Sequence, residues 1–108
     1  MDLLFSVTPV HGPGVVTIVV DGDLDDVSAP QFTECVNAVA DTPDRLVIDM
    51  GLVGFLDSAG MRALVAAQRR RTEPGASGAI ADLTLTNLTR PARRALEIAG
   101  LLDHFDIE

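Results

Sequence analysis

The chemistry-bearing residues of this chain are few, and most stand alone. The acidic run Asp21-Gly-Asp-Leu-Asp-Asp offers oxygen ligands of the kind calcium takes. An EF-hand starting at Asp23 would have Asp25 at its third position and Glu34 at its twelfth. It would also have Val27 where a ligand oxygen is needed and Ser28 where the turn requires Gly, and Pro30 opens a helix inside it. A solvated connector is the better reading, so no metal is expected. His11 and His104 could each serve Ser58 as a base. However, Ser58 is not in a G-x-S-x-G elbow, and nothing in the sequence brings a histidine to it. Neither a base nor an oxyanion hole can be placed, which sets a small hydrolase aside and leaves no catalytic residue. Cys35 lies on an apolar stripe and reads as a small core residue. Asp49 ends an apolar strand, where a response-regulator receiver carries its phospho-accepting Asp. A receiver also needs an acidic pair after its first strand and a late Lys. Here the first strand runs into His-Gly-Pro-Gly, and all 8 basic residues are Arg.

The segment Asp57-Ser58-Ala59-Gly60 is more informative. Asp57 and Ser58 are both helix-capping types, although a helix start needs only one. Gly60 falls in the first turn, where Gly costs up to ~1 kcal/mol relative to Ala. A Ser followed by small residues at a helix start leaves a hydroxyl open to an incoming active site, and the backbone N–H groups there favour an anion. These residues suggest a modifiable serine on a recognition surface.

The elements that must hold this serine can be read from the pattern. Leu3 to Val10 reads as a strand, His11 to Gly14 as a turn, and the β-branched run Val15 to Val20 as a second strand, so a hairpin opens the chain. Pro30 suits the first turn of a helix with Ser28 as its cap, and Phe32, Cys35, Val36 and Val39 form its apolar stripe. Arg45 to Met50 reads as a strand covered on both faces. The helix behind Asp57 runs to about Arg71. Met61, Leu64, Val65 and Gln68 share one of its faces, and Arg62, Arg69 and Arg70 point elsewhere. Glu73 to Gly78 is a loop and Ile80 to Asn87 a strand. Pro91 opens another helix with Ala92, Ala95, Leu96 and Ala99 inward and Gly100 closing it. Leu101, Leu102 and Phe105 form the apolar face of a short terminal turn or helix. Alternating strands and helices predict an α/β fold: one domain over residues 1–108, a mixed sheet of about four to five strands and about four helices.

Composition narrows the function classes. The 108 residues carry 16 acidic and 8 basic side chains, a net charge of −8, which argues against nucleic acid as a partner. The absence of Trp and Tyr, with 4 Phe, also argues against a base-stacking platform. The lone Cys35 cannot form an internal disulfide. The opening MDLLFSVTPV lacks the basic stretch of a secretion signal, and no apolar run reaches the ~18 residues of a membrane helix. A cytoplasmic protein without membrane contact is expected, a monomer with a weak dimer as the alternative.

The pattern of apolar strand, Asp, connector, Asp-Ser-small-Gly and Ala/Leu-rich helix resembles the STAS domain of bacterial anti-sigma factor antagonists. Gly22-Asp-Leu-Asp is similar to that family's Gly-acid-Leu-Asp loop. Leu96-Glu-Ile-Ala-Gly-Leu-Leu-Asp-His-Phe resembles its closing Leu-x-x-x-Gly-Leu-x-x-x-Phe. Three short motifs in the right order carry the resemblance across nearly the whole chain. Ala59 stands where many members have a second Ser.

The resemblance implies a protein-binding switch without cofactor or catalytic role. In such proteins the unphosphorylated antagonist binds an anti-sigma factor and frees a sigma factor. The anti-sigma factor is an ATP-dependent serine kinase that ends the interaction by phosphorylating the antagonist, and a metal-dependent serine phosphatase reverses this. Carried over, Ser58 is the phosphoacceptor, and Asp57, Ala59, Gly60, Met61 and Arg62 contact the partner. The loop Gly22 to Asp26, with Asp23 and Asp25, completes that face. STAS domains also occur as scaffold, sensor or transport-accessory modules that need no phosphorylation. Under either form of the resemblance, chelators should leave the melting temperature unchanged. A chelator-dependent loss of stability, read by thermal denaturation, would restore the calcium reading of residues 21–26.

Overall fold

The β-branched run after the first turn forms an interior strand, and the rest of the sheet is registered on it. A computed structural model describes residues 5–72 and 83–108. Strands β1 (Ser6–Gly12), β2 (Val15–Asp21), β3 (Arg45–Leu52), β4 (Leu83–Thr86) and β5 (Asp106–Ile107) form one sheet in that order. β1 and β2 pair antiparallel, and all later pairs are parallel. The expected turn at His11 to Gly14 is shorter than the pattern implied. His11 and Gly12 extend β1, paired with Val16 and Val15, and only Pro13-Gly14 turns, with Gly14 at φ 73°.

Helices α1 (Ala29–Val39), α2 (Ser58–Thr72) and α3 (Arg90–Ile98) each join two parallel strands. Strand order advances in one direction and such crossovers are right-handed, so all three helices reach the same face. Val16, Ile18, Val20, Leu46, Ile48, Met50, Leu83 and Leu85 meet Phe32, Val36, Leu64, Ala67, Ala92 and Leu96 in the core. The expectation that β3 is covered on both faces is therefore corrected. Val47 is buried, but it stands outside that core, flanked in register by Thr17 and Thr84. An apolar run does not distinguish shielding by strand neighbours from shielding by a helix.

The helix ends also refine the sequence reading. Ser28 precedes α1 but makes no cap bond to it. The chain turns earlier, at Asp25, whose carboxylate accepts from the N–H groups of Val27 (3.0 Å) and Ser28 (3.1 Å). The Ser28 hydroxyl accepts from the Asp25 N–H at 3.0 Å, which closes a reciprocal capping box. At α3, Thr89 accepts from the Ala92 N–H and donates to the Val53 carbonyl. Gly100 at φ 72° closes α3, with Leu101 N–H on the Leu96 carbonyl and Gly100 N–H on that of Glu97. Ala99, expected to face inward, is exposed in this closing turn. Of the expected terminal turn or helix, the structure shows the shorter form, a single 3-10 turn, Leu102–His104. It is followed by the unforeseen β5, so among the described residues there are three α-helices, against about four expected, and five strands, within the expected four to five. Leu3, Leu4, the Glu73 to Gly78 loop and the start of the Ile80 strand lie outside the described residues. Among the described residues no helix is long and apolar enough to cross a membrane.

The buried line of α2 runs through Gly60, Ala63, Leu64, Ala67 and Arg71, rotated from the expected face. Met61 and Val65 are only half-buried. Arg71 is 2% exposed. Its guanidinium donates to the carbonyls of Ala40 (2.9 Å), Thr42 (2.7 Å) and Asp44 (2.7 Å), satisfying the end of α1 and the turn into β3. Arg70 pairs with Asp41 at 3.2 Å. Arg71→Ala would leave three inward carbonyls without their donor and a void, for a loss of about 3 kcal/mol. The expected outcome is a large drop in urea midpoint, whereas Arg70→Ala, on an exposed pair, should shift it little.

Candidate functional site

The C-terminal ends of β2 and β3 lie side by side, and the loops leaving them are joined edge to edge. Gly22 N–H donates to the Leu52 carbonyl (3.1 Å), Leu24 N–H to that of Phe55 (2.9 Å), and Asp57 N–H to that of Leu24 (3.3 Å). Leu24 and Leu56 form an isolated parallel bridge, and both side chains are buried. This short extra ladder delivers the chain to the start of α2 at a set height above the sheet.

At that start the two capping-type residues divide the work. Asp57 caps: its carboxylate accepts the Gly60 N–H at 2.9 Å, and its carbonyl accepts the Met61 N–H at 2.9 Å. Ser58 is left as the first helical residue. It is exposed, and among the described residues its hydroxyl makes no hydrogen bond. Ala59 is half-buried, Met61 half-buried and Arg62, one turn on, exposed.

Gly60 is not a surface residue, which corrects its expected place on the docking face. It is buried. A Cβ built there would overlap the Leu24 carbonyl oxygen and come within 2.8 Å of Leu56 Cδ1. The Gly lets α2 rest directly on the backbone of the Leu24 loop. Its side-chain-free face points into the protein, so a contact with a partner would have to come from its neighbours.

On the loop side, Asp23 is exposed and lies beside Gly54, whose Cβ would sit 3.7 Å from Asp23 Oδ1. Asp25 is half-buried, and one of its carboxylate oxygens is committed to the capping box. The Ser28 hydroxyl also donates to the Asp23 carbonyl at 2.7 Å, so the loop is wired internally. No cluster of three or more potential metal ligands occurs among the described residues. Three apolar residues at this end of the sheet escaped the sequence reading: Val27 (71% exposed), Leu52 (58%) and Phe55 (52%). The available signal was their type, since each is a large apolar residue set among Gly and Asp.

Other candidates are placed elsewhere. His11 sits at the hairpin end of β1, a full strand length of ~20 Å from the ends of β2 and β3. His104 accepts from Gln68 Nε2 at 2.6 Å through its carbonyl, ten residues or ~15 Å along α2 from Ser58. Asp49 accepts from the Gly51 N–H (2.9 Å) and Asn87 Nδ2 (3.2 Å), shaping the end of β3. Burial pushes the Cys35 thiol pKa up, so it stays protonated and a poor nucleophile.

Residues 6–108 match the model of the STAS domain family. The chain belongs to that family. Over 97 residues, 89% of this chain and 75% of the relative, it is 31% identical to the anti-sigma-F factor antagonist RsfB of Mycobacterium tuberculosis. Among solved structures, an anti-sigma factor antagonist from Mycobacterium paratuberculosis superposes with a TM-score of 0.78 at 28% identity. That match covers 95% of this chain and 84% of the other. The anti-sigma factor antagonist SpoIIAA in its unphosphorylated form shares the fold at a TM-score of 0.73 and 17% identity, over 95% and 88% of the two chains.

The position of Gly60 in this STAS domain makes a sharp stability expectation. Ala raises helix propensity by up to ~1 kcal/mol, but the overlap with Leu24 forces α2 off its seat, at a cost of typically 1–3 kcal/mol. Gly60→Ala should therefore lower the denaturant midpoint, whereas Ala59→Ser should leave it near wild type. A Gly60→Ala protein as stable as wild type would show that α2 does not depend on this close approach.

Proposed function

We propose that this STAS domain is an anti-sigma factor antagonist controlled by phosphorylation of Ser58. The carrying observation is the division of labour at α2, where Asp57 caps the helix and leaves the Ser58 hydroxyl exposed and unengaged. Its 31% identity to an antagonist supports the same reading. In this reading the chain is a single domain that binds rather than catalyses and works in the cytoplasm, where its partners control transcription. The unphosphorylated face, built from Asp23, Asp57, Ser58, Ala59, Met61 and Arg62, engages an anti-sigma factor and frees the sigma factor. Asp25 supports that face by holding the loop in shape, and Gly60 does so by seating the helix.

The partner is then also the kinase. The Ser58 hydroxyl oxygen attacks the γ-phosphorus of ATP, its proton leaves, and the bond from that phosphorus to ADP breaks. A serine phosphatase restores the hydroxyl when water attacks the phosphorus and inorganic phosphate departs. The phosphoserine carries about −1.5 to −2 charges at neutral pH. Within the free domain two effects oppose each other. The start of α2 favours an anion by ~0.3–1 kcal/mol, and Asp57 repels it through solvent. The fold should survive. Within a complex, one repulsion between unit charges at ~5 Å and an effective dielectric of ~20 is about 3 kcal/mol. Binding should weaken on the order of a hundredfold.

The decisive experiment supplies the anti-sigma kinase and ATP and counts phosphates by mass, then compares dissociation constants. One phosphate on wild type and none on Ser58→Ala is expected. Ser58→Ala should bind and resist switching off, and Ser58→Asp should bind poorly with an unchanged circular dichroism spectrum. Equal affinities for the phosphorylated and unphosphorylated forms would end the switch reading and leave a phosphorylation-independent scaffold. A melted phosphoprotein would end the local-charge mechanism.

A further inference from the structure

A groove of about 510 Å³ runs along α2 beside Ser58, between that helix and the end of α3. Met61, Val65, Ala66, Ala99 and Leu101 make its apolar wall, and Ser58 stands at the end where α2 begins. Its charged residues are Arg62 and Arg69, and no carboxylate lines it, in a chain whose net charge is −8. Arg62 is exposed and makes no ion pair or hydrogen bond among the described residues. The neighbouring groove between α1 and α2 differs, because there Asp26 and Glu34 accompany Arg62. From Ser58 to Arg69 the α2–α3 groove extends over eleven residues, ~17 Å, the length of about three helical turns.

Building on the antagonist reading, we propose that this groove receives an amphipathic helix of the anti-sigma factor. The apolar face of that helix lies on Met61, Val65 and Leu101, and its carboxylate-bearing flank lies on Arg62. The choice of an acidic flank follows from charge: Arg62 is an exposed cation on a groove without a lining carboxylate, in a chain of net charge −8, so an acidic ligand is favoured here. The exposed Asp23 on the loop beyond Ser58 sets the opposite sign there, so the two charges orient the partner. A phosphate on Ser58 stands at the mouth of this groove, one turn from Arg62, and repels the same acidic flank. Docking and switching thus share one electrostatic feature.

Ala66 is exposed in the interior of α2, so Ala66→Glu adds a carboxylate to the groove without touching the core. Binding is measured against the anti-sigma kinase that phosphorylates the chain. Ala66→Glu should weaken it about thirtyfold with an unchanged melting temperature. Arg62→Glu should weaken it about tenfold, with a loss that shrinks as salt rises. Asn37→Glu, on the exposed side of α1, should bind as wild type. If Ala66→Glu and Arg62→Glu bind as wild type while Ser58→Asp binds poorly, the groove proposal is overturned and the antagonist reading stands. If Ser58→Asp also binds as wild type, the antagonist reading itself falls. An Asn37→Glu loss equal to that of Ala66→Glu would reassign the effect to total charge and overturn the groove. A dimer of the free chain, seen by sedimentation and abolished by Ala66→Glu, would give the groove to a second copy and overturn it as well.

Discussion

The carbonyl of Leu24 accepts the Asp57 N–H and leaves no space for a side chain at residue 60. That close approach of loop backbone to helix determines where α2 begins, and most of the candidate site follows from it. The Leu24–Leu56 bridge buries two apolar side chains under the junction and continues the parallel pairing of β2 and β3 past the sheet. With the loop seated, Asp57 caps the helix through the Gly60 N–H. Ser58 is then turned outward, with its hydroxyl in solvent. A serine at the same point of a helix not pinned in this way would be free to compete for the cap.

The other end of α2 is fixed by a different interaction. Arg71 is buried because three carbonyls at the end of α1 and the following turn converge on it. Such carbonyls lie at the negative end of the α1 dipole, so a cation is favoured there beyond the individual hydrogen bonds. α2 is thus held at its first turn by a glycine contact and at its last by an arginine. A helix held at both ends presents the residues between them, Ser58 to Arg69, as a stiff surface. Rigidity of that kind lowers the entropy lost on docking a partner.

Charge is distributed unevenly on this acidic chain. Acidic residues gather in the loop of Asp21 to Asp26, where Asp25 and Ser28 use part of that charge to cap the turn into α1. Arginines gather along α2. The candidate site lies at the boundary, with Asp23 on one side of Ser58 and Arg62 on the other. A charge added at such a boundary changes the local field more than the total charge, and the proposed phosphorylation would act through that local field.

Local chemistry in the sequence was enough to determine much of this architecture. The β-branched run of β2, the Pro91 start and Gly100 end of α3, the paired capping types at Asp57-Ser58 and the α/β alternation all depend on residues within a few positions of one another. Their dihedral and hydrogen-bonding preferences act locally. The tertiary structure decided what each element meets. Gly60 looked like a surface residue because helix propensity says nothing of the Leu24 carbonyl, which lies 36 positions away and reaches it only through the parallel pairing of two loops. Arg71 marked only the end of a helix in the sequence, and the carbonyls at the end of α1 gave it a buried role. Residues 106–107 formed a strand because β4 offered a parallel edge, and two residues are too few to carry a periodic signal. The exposed sides of Val27, Leu52 and Phe55 were likewise settled by which loops came to lie together. Preferences of the backbone are written residue by residue, whereas burial is a property of the partners that long-range folding brings.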